Sequence, residues 1–143
     1  MKIIIEGIDR LGKDTLITNL ISNLGYHSVI HYSSPKKTKF YAEQVGDDVE
    51  LYHYQRDSFI NGFQLLEQQN DINLIFNRFH LGEVVYSKRY RNYDGSYVFD
   101  LEDQHPIALD QTYLILLYSS SVDIVTDDGK SHDFSKRKEE QDD

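Results

Sequence analysis

A short apolar run followed by a glycine-bounded loop, within residues 2–15, constrains the fold of this chain more than any other feature. Residues 2–6, KIIIE, form the β-branched run that is typical of a buried strand. The loop GIDRLG follows directly, and then apolar residues recur at helical spacing as far as Gly25: Leu16, Ile17, Leu20, Ile21 and Leu24. The sequence therefore predicts a strand, a tight glycine loop and a helix that ends at Gly25.

The rest of the chain repeats this alternation of strands and helices. Three further apolar segments predict strands: 28–32, 72–76 and 113–118. An amphipathic stretch predicts a helix from about Asp48 to Gln69, and Leu81, Val84 and Val85 mark another helix. YDGSY, 93–97, predicts a turn, and Pro106 lies in the connection to the last strand. This order is typical of an α/β fold whose parallel sheet, of at least four strands, is covered on both faces.

Length and composition narrow the class of protein. A chain of 143 residues predicts one domain, and the 39% apolar content without a long uncharged run excludes a membrane span. Met1 leads into KIIIEG without a signal-peptide core, so we expect a soluble, cytoplasmic protein. The absence of cysteine excludes disulfides, thiol catalysis and cysteine-ligated metals. The net charge of -9 argues against a stable nucleic-acid complex but is compatible with small phosphorylated ligands.

The glycine loop is one residue away from the phosphate-binding pattern G-x-x-x-x-G-K-[S/T]. Gly7, Gly12 and Lys13 match, whereas Asp14 stands where the pattern has a hydroxyl. In such loops backbone N–H groups surround phosphate oxygens, and the lysine reaches the β- and γ-phosphates. The position between a strand and a helix favours this interpretation, and the alternative is a plain glycine turn with an exposed lysine.

Three segments together resemble one enzyme family. IEGIDRLGKDTLITNL, LYHYQRD (51–57) and NRFHLGEVVYSKRY (77–90) are similar, in this order, to motifs of thymidylate kinase and its viral deoxynucleoside monophosphate kinase relatives. The resemblance covers residues 3 to about 141. It implies a P-loop NTPase-like three-layer sandwich that transfers the γ-phosphoryl group of ATP, with Mg²⁺, to a deoxynucleoside monophosphate, for which dTMP is the expected substrate.

The resemblance assigns the donor side of the reaction to the loop. It implies ATP binding by six residues: Gly7, Arg10, Gly12, Lys13, Asp14 and Thr15. Arg10 and Lys13 would be catalytic, because phosphoryl transfer depends on positioning and on cations that stabilise charge on the transferred group. The alternative for Arg10 is a solvated loop cation.

The acceptor side is assigned by the same resemblance. Six residues would bind the acceptor nucleotide: Asp9, Lys37, Tyr52, Arg56, Arg78 and Tyr86. Asp9 would accept a hydrogen bond from the 3′-hydroxyl, Arg78 would hold the monophosphate, and Tyr52 would stack on the base. A structural ion pair is the alternative for Arg78, and packing in the core is the alternative for both tyrosines.

Two departures from the family pattern concern the metal. The aspartate that the family carries before the arginine is Asn77 here, while Asp14 replaces the loop hydroxyl. We hypothesise an exchange in which Asp14 becomes the Mg²⁺ ligand, directly or through water, and Asn77 avoids a second negative charge. The alternative is that Asp14 is a helix-start residue favoured by the helix dipole. Gly82, in place of a serine, is a further departure.

The last 25 residues, 119–143, form a charged segment that we predict to be separate from the core at 1–118. They fall where the family has a lid, and Lys136 and Arg137 could contact phosphate there, although such a charge cluster is also typical of a solvated or disordered tail. The family continues with another helix and a fifth strand beyond this point, so a fragment, a product of early termination and a shortened variant are the alternatives.

Two other functions stay open on the sequence alone. One is a deoxynucleoside or polynucleotide 5′-hydroxyl kinase, for which Glu6 is the candidate general base. The other is a non-catalytic nucleotide-binding remnant. The expected partners are small-molecule nucleotides, without a membrane, and the resemblance makes a homodimer an alternative to a monomer.

Overall fold

The computed structural model of the protein describes residues 1–8, 11–32, 48–68, 72–91 and 93–118. Within these ranges it contains four β-strands and four α-helices. The strands are β1 (Lys2–Glu6), β2 (Ser28–His31), β3 (Leu74–Asn77) and β4 (Thr112–Leu116). The helices are α1 (Lys13–Leu24), α2 (Asp48–Glu67), α3 (His80–Tyr86), which continues as a π-helical segment (Ser87–Arg91), and α4 (Tyr97–Gln104).

The four strands form one parallel sheet in the order β2-β3-β1-β4. The predicted α/β class and the parallel sheet are thus confirmed. In the register Asn77 is paired with Ile5 on one side and with His31 on the other. Three strands therefore end side by side, and ligands of open α/β sheets bind beyond this carboxyl edge.

Each face of the sheet has its own hydrophobic cluster, because side chains alternate along a strand. Ile3, Ile5 and Ile75 pack with Ile17 of α1 on one face. On the other face, strand residues pack with α2 and α4, and the cluster comprises Ile4, Phe59, Phe63, Leu66, Leu74, Phe76, Phe79, Val98, Leu101 and Ala108. Val84 of α3 also packs against this second cluster, so the helices that follow β1 and β3 lie on opposite faces of the sheet. In open α/β sheets, ligands bind beyond the strand ends at such a point.

The structure corrects two expectations. The segment between the predicted turn and Pro106 contains α4, which the sequence analysis did not predict. Only Val98 and Leu101 of this short helix are buried, so its apolar pattern is brief. β4 was expected to be covered on both faces, but Tyr113, Leu114 and Leu116 are more than half exposed. Among the described strands, β4 lies at one edge of the sheet and pairs only with β1.

None of the helices in the part of the chain that the structure describes is both long and apolar enough to cross a bilayer. The predicted segment 119–143, with Lys136 and Arg137, lies outside the described residues.

Candidate phosphate-binding site

Two glycines delimit the loop between β1 and α1. Gly12 has φ 89° and precedes α1, in a left-handed conformation that side chains disfavour, and its carbonyl accepts the N–H of Leu16 at 3.0 Å. At Gly7, a Cβ would lie 3.1 Å from both Cβ and the carbonyl oxygen of Leu117. Close packing against Leu117 therefore explains the glycine at position 7, and the left-handed backbone explains the glycine at position 12.

Lys13 is buried at the start of α1, only 8% exposed. Its Nζ donates to the carbonyl of Gly7 at 3.0 Å and also to that of Ile8. Burial lowers the pKa of Lys13 to about 8, against the opposing charges of Glu6 and Asp14. The expected exposed lysine of a plain glycine turn is thus not observed, and the ammonium group is held against the loop.

Asp14 and Asn77 are in direct contact. Asn77 Nδ2 donates to Asp14 Oδ1 at 3.2 Å and lies 2.9 Å from Nδ1 of His31, the last residue of β2. Asn77 is 9% exposed, whereas Asp14 is exposed in the first turn of α1. Two of the positions at which the chain departs from the family pattern are thus in contact in the fold.

The residues at this contact fit one Mg²⁺ ion that is shared with phosphate. Mg²⁺ in phosphate sites takes one or two carboxylates and fills the remaining positions with phosphate oxygens and water. Asp14 supplies one carboxylate, and an aspartate at position 77 would place a second carboxylate against it. Within the described ranges, no three histidine, aspartate or glutamate side chains converge as a metal site. Protein ligands alone would therefore hold the ion poorly there.

Glu6, at the end of β1, is committed to the start of α3. It is 3% exposed, and its Oε1 accepts the backbone N–H groups of Phe79 at 2.8 Å, Leu81 at 3.1 Å and Gly82 at 3.4 Å. Burial raises the pKa of Glu6, although these N–H groups and the charge of Arg78 oppose the shift. The carboxylate acts as a cap for α3.

Arg78 follows β3 with φ 66°, the one non-glycine residue with positive φ in the described ranges. Its N–H donates to the carbonyl of Ile5 at 2.8 Å, and its guanidinium carbon lies 6.0 Å from the ring centroid of Tyr86. Strained backbone of this kind is common at functional sites. The side chain is half-buried, and Tyr86 beneath it is 6% exposed, which agrees with the packing alternative for that tyrosine.

Tyr52 belongs to a cluster of tyrosines around a buried carboxylate. Its ring packs edge-on against Tyr93 and Tyr97, with centroids 5.6 and 4.9 Å away. Both hydroxyls donate to Glu83, from Tyr93 at 2.9 Å and from Tyr97 at 2.6 Å. Burial, followed by the charge of Glu83, raises the pKa of Tyr97. Tyr52 is half-buried, so this packing leaves part of its side chain accessible.

The other predicted site residues divide into two groups. Thr15 is exposed in the first turn of α1, and Arg56 is half-buried on α2, one turn after Tyr52. Five predicted site residues lie outside the described ranges: Asp9, Arg10, Lys37, Lys136 and Arg137. The structure thus brings together Lys13, Asp14 and Asn77 at the carboxyl edge of the sheet.

Two residues of this region, His31 and Glu83, are not predicted from the sequence. His31 ends a predicted strand, but its contact with Asn77 depends on β2 lying next to β3, which no local pattern shows. Glu83 is a charged residue on the buried side of a short apolar helix, and the tyrosines at 93 and 97 were the available signal for its partners.

Comparison of the sequence with protein-family models and with curated proteins finds no match. The assignment of function therefore depends on the residues of the site.

Proposed function

We propose that this protein is a P-loop nucleoside monophosphate kinase, which transfers the γ-phosphoryl group of ATP to a deoxynucleoside monophosphate, with dTMP as the first candidate. The observation that carries the proposal is the buried Lys13, held against the carbonyls of a loop that joins a central parallel strand to a helix. Burying an ammonium group is unfavourable unless it is compensated. A phosphate arriving at the loop would supply that compensation.

On the donor side, Lys13 would exchange its loop carbonyls for β- and γ-phosphate oxygens. Backbone N–H groups at the start of α1 would bind further phosphate oxygens, as is usual at helix N-termini. Asp14, supported by Asn77, would hold Mg²⁺ beside them. The metal would neutralise charge on the bridging phosphate oxygens.

On the acceptor side, Arg78 is the candidate for the monophosphate of the acceptor. It lies directly after β3, next to the strand that carries the loop. An oxygen of the acceptor monophosphate would attack the γ-phosphorus, and the bond from that phosphorus to the β,γ-bridging oxygen would break, which releases ADP. The accessible part of Tyr52 and the neighbouring Arg56 would contact the acceptor base.

The role of Glu6 favours a phosphate acceptor over a hydroxyl acceptor. A hydroxyl kinase needs a general base, and Glu6 was the candidate. Its Oε1 already accepts three backbone N–H groups of α3. A phosphate acceptor needs no such base, because its oxygens are already deprotonated at neutral pH.

The proposal is tested by measuring ADP release with three acceptors: dTMP, thymidine and a 5′-hydroxyl oligonucleotide. We expect ADP release with dTMP as the acceptor and none with thymidine or the oligonucleotide. Lys13→Met should abolish it, whereas Lys88→Met, which removes an exposed lysine after α3, should leave it unchanged. Turnover with either hydroxyl acceptor would contradict the proposal, and nucleotide binding without turnover would indicate a binding module.

A further inference from the structure

The side-chain amide of Asn77 lies between Asp14 and His31 at the carboxyl edge of the sheet. Its Nδ2 donates to Asp14 Oδ1 at 3.2 Å and lies 2.9 Å from His31 Nδ1. Register pairs His31 with Asn77 directly, so this contact is set by the pairing of β2 with β3. One amide group thus links the end of β2 to the first turn of α1.

The oxygen of the same amide shows what fixes the orientation of the Asn77 side chain. Asn77 Oδ1 is buried and has no hydrogen-bond partner among the residues that the structure describes. An unpaired buried carbonyl costs about 1–3 kcal/mol. The flipped amide would place this oxygen against the carboxylate of Asp14, where two acceptors repel. The observed orientation is therefore stable only while Nδ2 has acceptors to bind.

We propose that His31 is a positioning residue for the metal-binding carboxylate of Asp14 and that it acts through Asn77. His31 accepts one proton of the Asn77 amide on Nδ1, which requires the neutral tautomer protonated on Nε2. The second amide proton is then directed at Asp14, which holds one carboxylate oxygen in place. This inference rests on the proposed nucleotide-binding function, because Asp14 is the metal ligand of that function.

The expected size of the effect follows from other metal sites. Partners that orient a metal ligand usually change metal affinity by about 10- to 100-fold when they are removed. His31 acts one residue further away from the ion, so we expect the lower end of this range. Affinity for the nucleotide without metal should be unaffected, because His31 itself would contact neither phosphate nor base.

The test uses two substitutions of similar shape in the full chain. His31→Asn places a carbonyl oxygen at the position of Nδ1 and keeps the acceptor, whereas His31→Leu removes it. In Mg²⁺ titrations of the ADP complex by calorimetry, His31→Leu should weaken metal binding about 10-fold and His31→Asn should preserve it. ADP binding in the presence of EDTA should be equal in all three proteins. Asn23→Ala, an exposed amide at the other end of α1, is the control.

A double-variant cycle shows whether the effect passes through Asn77. In an Asn77→Ala background, His31→Leu should weaken Mg²⁺ binding no further. Full additivity, a His31→Leu protein with wild-type metal affinity, or a His31→Asn protein as weak as His31→Leu would each overturn the proposal.

A ligand-free measurement separates this proposal from the kinase function. If wild type binds no ADP, the proposed function fails, and the weaker binding of Mn²⁺ alone replaces the Mg²⁺–ADP titration, at Mn²⁺ concentrations high enough for a site with few protein ligands and with the bound ion measured by electron paramagnetic resonance. His31→Leu should still bind Mn²⁺ more weakly than His31→Asn. At a pH at which the His31 ring is neutral, nitrogen-15 NMR of the ligand-free chain should show its proton on Nε2, and a neutral ring with its proton on Nδ1 would overturn the proposal.

Discussion

At the scale of single residues, Lys13 carries the clearest conflict between charge and environment. It is 8% exposed, and burial lowers its pKa from 10.5 to about 8, whereas the unfolded chain retains the ordinary value. Between these two values the unfolded state holds a proton that the folded state has released. Stability therefore rises with pH across this window, because the unfolded state binds more protons.

We predict that Lys13→Met abolishes this rise. Between pH 7.5 and 9.5 the wild-type protein should gain about 2 kcal/mol in the free energy of unfolding relative to Lys13→Met. Urea denaturation at both pH values measures the difference, and the exposed Lys88→Met variant should behave as wild type. Parallel pH profiles for wild type and Lys13→Met would mean that the ammonium group is as well solvated in the folded protein as in the unfolded chain.

Asp14 and Asn77 form the second feature at this scale, because each departs from the family pattern and the two touch. If they exchange one carboxylate, Asp14→Thr should weaken Mg²⁺ binding in the ADP complex, and adding Asn77→Asp should recover it. The coupling should be about 1 kcal/mol or more, since both residues share one ion. Calorimetric titration of the two single variants and the double variant measures it.

The matched control for this cycle is Asn23→Asp, which adds the same charge at the far end of α1. It should not restore metal binding to Asp14→Thr. Tighter binding of both ATP and Mg²⁺ by Asp14→Thr alone would instead identify Asp14 as a residue that merely starts the helix.

At the scale of secondary-structure elements, α3 is held by a residue of another element. Phe79, which precedes the helix, makes no side-chain cap, and Glu6 of β1 accepts the backbone N–H groups there instead. The positive charge of Arg78 also favours the ionised form of this carboxylate. The strand that leads into the glycine loop therefore also fixes the helix that follows the proposed acceptor-binding arginine.

We predict that Glu6→Ala destabilises the protein by about 2–4 kcal/mol, since it leaves one buried and two partly buried backbone N–H groups without this acceptor. Glu6→Gln, which keeps one oxygen acceptor, should lose less. Hydrogen exchange should show the loss first at the amides of α3. The control is Asp103→Ala on the exposed side of α4, and an equal effect in that variant would contradict a capping role for Glu6.

At the scale of the whole molecule, the ring of Phe79 packs between the sheet and the long helix α2. It contacts five other aromatic rings, with centroids 4.9–5.4 Å away: Tyr32, Phe59, Phe63, Phe76 and His80. Gly62 of α2 lies against this ring, and a Cβ there would overlap both Phe79 and the hydroxyl of Tyr32. The absence of a side chain at position 62 thus sets how closely α2 approaches the sheet.

Gly62→Ala is a test of this packing because two effects have opposite signs. Helix propensity alone would stabilise the variant by about 1 kcal/mol, whereas overpacking of a core typically costs about 1–3 kcal/mol. We predict net destabilisation, measured by thermal or urea unfolding. Gln64→Ala, at an exposed position of the same helix, should change stability by less than about 0.5 kcal/mol. A stabilised Gly62→Ala protein would show that α2 moves freely away from Phe79.

Much of the element order follows from local patterns. Three elements are predicted correctly because each shows a hydrophobic pattern within its own residues: the strand at 2–6, the helix that ends before Gly25 and the long helix from Asp48. The predicted bounds of β3 and β4 differ from the observed bounds by one or two residues. The helix α4 is not predicted, because two buried residues in eight form too short a pattern.

The site depends on contacts between segments that are distant in the chain. Asn77 meets both Asp14 and His31 because β3 lies between β1 and β2, and no local period specifies which strands become neighbours. The burial of Lys13 and the capping role of Glu6 likewise arise only after the sheet and helices pack. Residue types that suit phosphate chemistry can be read along the chain, whereas their protonation, orientation and partners follow from long-range packing.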